Sequence, residues 1–148
     1  MRKIAKLFAT LLFIGYVPLA PGTAASLAAL PVYYLLRQSP VLYFWVTLAF
    51  LGLGFWAAGR AEKAFREKDP PQIVIDEFAS TLLVFLFIPF SVKFMVLGFA
   101  LFRILDIIKI PPIKRLERLP AGSGIMLDDI ASAVLSNLIL QVLRFLPL

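Results

Sequence analysis

QIVIDEFAS, residues 72–80, places two adjacent acids, Asp76 and Glu77, inside a run otherwise apolar enough to lie within a membrane. A carboxylate at membrane depth costs roughly 2.5–3.5 kcal/mol at a helix centre on insertion scales, so it marks a functional site by default. Two further stretches repeat the pattern: Asp106 in FRILDIIK (102–109), and Asp128 with Asp129 in GIMLDDIAS (124–132). Five of the nine acidic residues therefore sit in or beside membrane-grade segments of a chain with no His and no Cys. Carboxylates without imidazole or thiolate suit a hard cation.

Composition supports the membrane reading. The 148 residues are 61% hydrophobic, with a mean hydropathy of +0.90, against roughly 45–50% apolar for a soluble domain. One integral-membrane domain over residues 1–148 is expected. The opening MRKIAKLFATLLFIGYVPLAPGTAAS faintly resembles a signal peptide, but PLAPGT reads as part of the working protein, so no cleavage is expected. Without Cys there are no disulfides, thiolate metal sites or cysteine nucleophiles; without His there are no imidazole bases. The net charge of +6 fits cytoplasmic loop bias and anionic lipid better than nucleic acid. No oligomeric state follows from the residues.

Pro, Gly and charge divide the chain into six helical segments: about 4–17, 24–37, 41–60 (continuing as a polar helix toward 68), 73–88, 92–109 and 127–145. The expected class is an all-α polytopic membrane bundle. The first segment is short for a crossing, which takes about 20 residues, and is expected to be interfacial or re-entrant. Arg2, Lys3 and Lys6, then Arg60, Lys63, Arg66 and Lys68, then Lys109, Lys114, Arg115 and Arg118 mark the cytoplasmic side. This topology requires segments one and two to make a single crossing. It brings Asp76–Glu77, Asp106 and Asp128–Asp129 to one cytoplasmic rim, beside Thr23 and Ser26 of the second segment.

Each packet also has a plainer reading. Asp76–Glu77 and Asp128–Asp129 are favourable charges near helix N-termini. Asp106 lies one turn from Arg103 and can pair with it locally. Arg103 and Lys109 are either positive-inside residues or phosphate holders. Pro21-Gly22-Thr23 before a helix is an anion-binding turn or simply a cap. Ala121-Gly122-Ser123-Gly124 is a phosphate cradle through Gly122 and Gly124, or a hinge or cap. Ala24, Ala25, Ser80, Ser132 and Ala133 are small enough for close helix approach.

Four blocks, PLAPGTAASLAALP (18–31), IVIDEFAS (73–80), GFALFRILDIIKIPPI (98–113) and LERLPAGSGIMLDDIAS (116–132), together resemble the phosphatidylglycerophosphatase A family of bacterial membrane lipid phosphatases. Matching positions include Pro21, Gly22, Thr23, Ser26, Asp76, Glu77, Arg103, Asp106, Lys109, Gly122, Gly124, Asp128 and Asp129. Departures are Ala25, Ser80 and Ala133 where the family tends to have Gly, and Ile110 where Pro is usual. The resemblance implies Mg²⁺-dependent hydrolysis of phosphatidylglycerophosphate, an anionic phospholipid held in the bilayer, at the cytoplasmic face of the bacterial inner membrane, in phospholipid biosynthesis. On this expectation Asp76, Glu77, Asp106, Asp128 and Asp129 hold one or two ions and supply the base. Arg103, Lys109, Thr23, Ser26, Gly122 and Gly124 contact phosphate. The alternative is a cation- or proton-coupled transporter using the same carboxylates. A phosphatidyltransferase is disfavoured, because its DGxxAR signature is absent around Asp128.

Overall fold

The computed structural model describes residues 2–119 and 122–146. Among them are seven α-helices and no strand: α1 (Arg2–Ala9), α2 (Pro21–Leu36), α3 (Pro40–Phe65), α4 (Ile75–Val84), α5 (Val92–Ile108), α6 (Pro111–Lys114) and α7 (Ser123–Leu143). Two helices, α3 and α7, are long and apolar enough to cross a membrane. The others fall short of the roughly 20 residues a crossing takes; α2, α4 and α5 have 16, 10 and 17.

The boundaries depart from expectation where tertiary contacts intervene. The second helix starts at Pro21 rather than residue 24, because proline is preset for the first helical position. The sixth segment starts at Ser123 rather than 127. A turn of helix, α6, forms in the loop read as irregular. The largest difference is the first segment, where α1 ends at Ala9 instead of running to residue 17; α4 in turn stops at Val84 instead of running to residue 88. Its terminal carbonyls find side-chain donors elsewhere: Tyr43 Oη donates to Leu82 O at 2.6 Å, and Asn137 Nδ2 donates to Val84 O and Leu86 O at 2.8 Å each. Helix-end carbonyls satisfied this way need no further turn.

α4 is the central post. Nearly all of it is buried, against α2, α3, α5 and α7. Phe78, Leu82 and Phe85 pack with Ala25, Ala29 and Tyr33 of α2, with Phe102 of α5 and with Ala133 and Leu140 of α7. On the other side Ile75 and Ala79 meet Ala57, Ala58 and Ala61 of α3 and Met126 of α7. Alanines at these crossings let the helices approach closely.

The first segment is α1 followed by a tight reversal in which Leu11, Leu12 and Phe13 have positive φ. It is pinned by Val74 N donating to Ala9 O at 2.9 Å, and by Gly15, where a Cβ would collide with the Gln72 carbonyl. Large apolar side chains stay exposed around the molecule, Val41, Trp45, Ile107 and Val142 among them.

Candidate active site

α4 brings its first turn, α7 its second and α5 its last to the same end of the bundle. A cleft of about 480 Å³ opens there, lined by Thr23, Asp76, Glu77, Asp106, Asp128 and Asp129, with Arg103 and Lys109. The packets read along the sequence are thus neighbours in space.

Asp76, Glu77 and Asp129 form the innermost group: one carboxylate oxygen from each lies within 4.8 Å of the others. Asp76 and Asp129 are 6% and 3% exposed. Asp76 Oδ1, Glu77 Oε2 and Asp129 Oδ2 are buried without a hydrogen-bond partner among the described residues. Buried polar atoms are normally satisfied, so three carboxylates this close together, each with an orphaned oxygen, call for a cation.

Glu77 owes its place to Gly22. A Cβ on Gly22 would collide with Glu77 Oε1. The N-terminus of α2 carries no side-chain cap, and the anion against it is this carboxylate. The Pro21-Gly22-Thr23 turn therefore receives an internal anion, favourably placed in the helix field.

The outer acids are paired. Arg103 Nη1 donates to Asp106 Oδ2 at 2.8 Å, the one-turn pair anticipated from sequence, and Arg103 Nε is left without a partner. Lys109 Nζ donates to Asp128 Oδ2 at 2.6 Å and to Glu117 Oε1 at 2.7 Å. Burial works against the Lys109 ammonium, yet these two carboxylates hold its pKa above the ordinary lysine value. Lys109 is therefore a strut between α7 and the 116–118 turn rather than a free phosphate holder. Lys109→Met would leave Asp128, 3% exposed, without its counter-charge. A loss of about 3 kcal/mol is expected, the low end for a broken buried pair because Lys109 keeps some solvent. Thermal unfolding in detergent should show it, and Lys109→Met/Asp128→Asn should recover most of the loss.

Three expected contacts are placed elsewhere. Ser26 is fully buried one turn below Thr23, outside the cleft lining, with its Oγ unpartnered. Gly122 has φ 75 at the start of α7, where a Cβ would collide with the Ala58–Gly59 backbone. Gly124 packs against the carbonyls of Leu116, Glu117 and Leu119. These glycines are close-packing residues outside the cleft lining; Ala121 lies outside the described residues. Sequence reading missed Asp69, which stands between the basic run ending at Lys68 and Pro70-Pro71. A positive φ of 52 turns it into the cleft wall. Partial desolvation raises its pKa, opposed by Lys109 and reinforced by Glu117. With Asp69 the cleft wall holds six carboxylates against two cations.

A helical shell with exposed apolar flanks around a carboxylate cleft of this kind is the setting of a membrane-associated phosphatase. The chain belongs to the phosphatidylglycerophosphatase A family, whose model matches residues 7–144. It is 36% identical over 125 residues to phosphatidylglycerophosphatase A of Escherichia coli, covering 82% of this chain and 73% of that one. It is 32% identical over 136 residues to the Haemophilus influenzae protein of the same name, covering 88% and 83%. A Bacteroides thetaiotaomicron protein provisionally named phosphatidylinositol-3-phosphatase is 34% identical over 142 residues, covering 88% and 87%. No solved structure matches the chain.

Proposed function

We propose that this chain hydrolyses phosphatidylglycerophosphate to phosphatidylglycerol and inorganic phosphate, using Mg²⁺, at the cytoplasmic face of the bacterial inner membrane as a step in phospholipid synthesis. The observation that carries the reading is the inner trio, Asp76, Glu77 and Asp129, with its orphaned buried oxygens. Family membership supplies the substrate.

The residues fit a divalent ion: three carboxylates within reach of one another, with Asp106 and Asp128 beside them. Mg²⁺ held there would supply charge neutralisation at the phosphoryl oxygens and a lowered pKa for water. The remaining roles fall to side chains. Arg103, in the cleft wall, offers its guanidinium to the phosphate while Nη1 stays on Asp106. Thr23, in the cleft wall, donates a hydroxyl hydrogen bond. Lys109 holds Asp128 in position. An unpaired oxygen of Glu77 or Asp129 accepts the proton of the attacking water. The water–phosphorus bond forms as the bond from phosphorus to the glycerol oxygen breaks, and that oxygen takes up the proton. The transporter alternative gains no support, because the acids cluster at helix ends on one side of the bundle.

Orientation rests on the basic residues that share the cleft's end of the chain, among them Arg66 and Lys68. Because the chain has no cysteine, Arg66→Cys offers a single label. It is expected to react with a membrane-impermeant thiol reagent only in inside-out vesicles; reaction from the outside would break the topology.

The decisive experiment is phosphate release by purified protein in detergent micelles, with Mg²⁺ and with EDTA. Release should require the metal and return on its readdition. Full activity in EDTA would remove the ion from the mechanism. Phosphatidylinositol 3-phosphate run in parallel tests the substrate that the Bacteroides relative's name suggests; faster release from it would reassign the head group.

A further inference from the structure

A second cavity, about 500 Å³, adjoins the acidic cleft and shares Lys109 with it. Its polar lining is entirely cationic: Lys109, Lys114, Arg115 and Arg118, with no acid. Lys114, Arg115 and Arg118 are exposed and make no ion pair among the described residues. The backbone that carries them is anchored. Lys109 turns the backbone sharply with φ 44, Pro111 starts α6, and Ile113 beneath the cations is 5% exposed. Ile107 and Ile108, beside the groove, are 71% and 66% exposed. The groove therefore lies where an apolar, lipid-ready flank meets a cationic surface, next to the carboxylates.

We propose that this groove binds the internal phosphodiester of the lipid substrate while its terminal phosphate enters the acidic cleft. The assignment rests on the function proposed above. Phosphatidylglycerophosphate carries two phosphates joined by one glycerol, and the acyl chains attach beyond the diester. A ligand with its monoester in the cleft and its chains along Ile107 and Ile108 must bring the diester past Lys109 to Arg115. Arginine's planar fork matches a phosphate's paired oxygens, and lysine adds a point charge. The groove would then distinguish a two-phosphate lipid from phosphatidic acid, which has a monoester alone.

The test is Lys114→Gln/Arg115→Gln/Arg118→Gln, assayed with Mg²⁺ in neutral detergent micelles where the substrate is dilute and no other lipid is present. The expected result is a KM for phosphatidylglycerophosphate raised about tenfold, with kcat little changed and inhibition by phosphatidic acid unaltered. Arg115→Lys, which keeps the charge and loses the fork, should fall between wild type and the triple variant. An unchanged KM overturns the proposal. So does a change seen only in micelles rich in phosphatidylglycerol, which would assign the groove to neighbouring bilayer lipid. If the wild type itself releases no phosphate from this lipid, the underlying function fails and the assignment with it.

Discussion

Asp129→Asn is expected to lower phosphate release about 10²–10³-fold, the usual scale for removing one charge-stabilising group from an active site, while making the metal-free protein more resistant to heat. The substitution keeps the shape of a side chain that is 3% exposed, so packing is preserved. What changes is charge. Its carboxylate shares a 4.8 Å neighbourhood with those of Asp76 and Glu77, and no described residue donates to its Oδ2. Three anions in a poorly polarisable pocket repel one another, and removing one relieves that strain. Mg²⁺ should raise the wild-type Tm by mass action, and the variant should lose most of that rise. Thermal shift with Mg²⁺ and with EDTA, beside the activity assay, separates these effects. Near-wild-type turnover in a folded variant would take Asp129 out of the site.

Gly22→Ala should be nearly as damaging to turnover while barely changing stability. The added methyl collides with Oε1 of Glu77, the far end of a flexible side chain, which can swing away at little energetic expense. Ala also suits a helix at least as well as Gly. The displaced carboxylate leaves the inner trio, and a misplacement of about 1 Å in an active site can lower the rate about 10²-fold. Phosphate release should therefore drop by about that factor with Tm within a few degrees of wild type. Gly122→Ala is the contrast: positive φ and a collision with helix backbone leave no flexible partner to yield, so unfolding should come first. Normal activity in Gly22→Ala would show that Glu77 is not needed at its present position.

Much of this arrangement is legible in the sequence, because the features that carry it are local. Proline breaks and apolar runs mark the helices. Acids in apolar company announce themselves one segment at a time, and the distribution of basic residues brings them to one side. The parts that escape reading depend on distant partners. α4 ends early because Tyr43 and Asn137, from α3 and α7, satisfy its last carbonyls. Lys109 loses its freedom to Asp128 and Glu117, a pairing that exists only once α7 and the 116–118 turn are docked. Gly122 and Gly124 look flexible in isolation; the backbone pressing on them belongs to α3 and to residues 116–119. Asp69 sits in what looks like plain punctuation, and a single left-handed backbone angle makes it part of the cleft.

The reversal after α1 has a bearing on how the chain is made. Its anchors, the Ala9 carbonyl and Gly15, engage Val74 and Gln72, so although α1 can lie against α3, the reversal is fixed only once the stretch just before α4 has been made. Meanwhile Leu12, Phe13 and Tyr16, more than half exposed even in the finished fold, must be sheltered by the insertion machinery or by lipid. The stretch before α2 is thus made before the partner that fixes it, and the acidic cleft, whose rim includes Leu19 and Ala20 just after it, waits longer still, for Asp128 and Asp129 of α7.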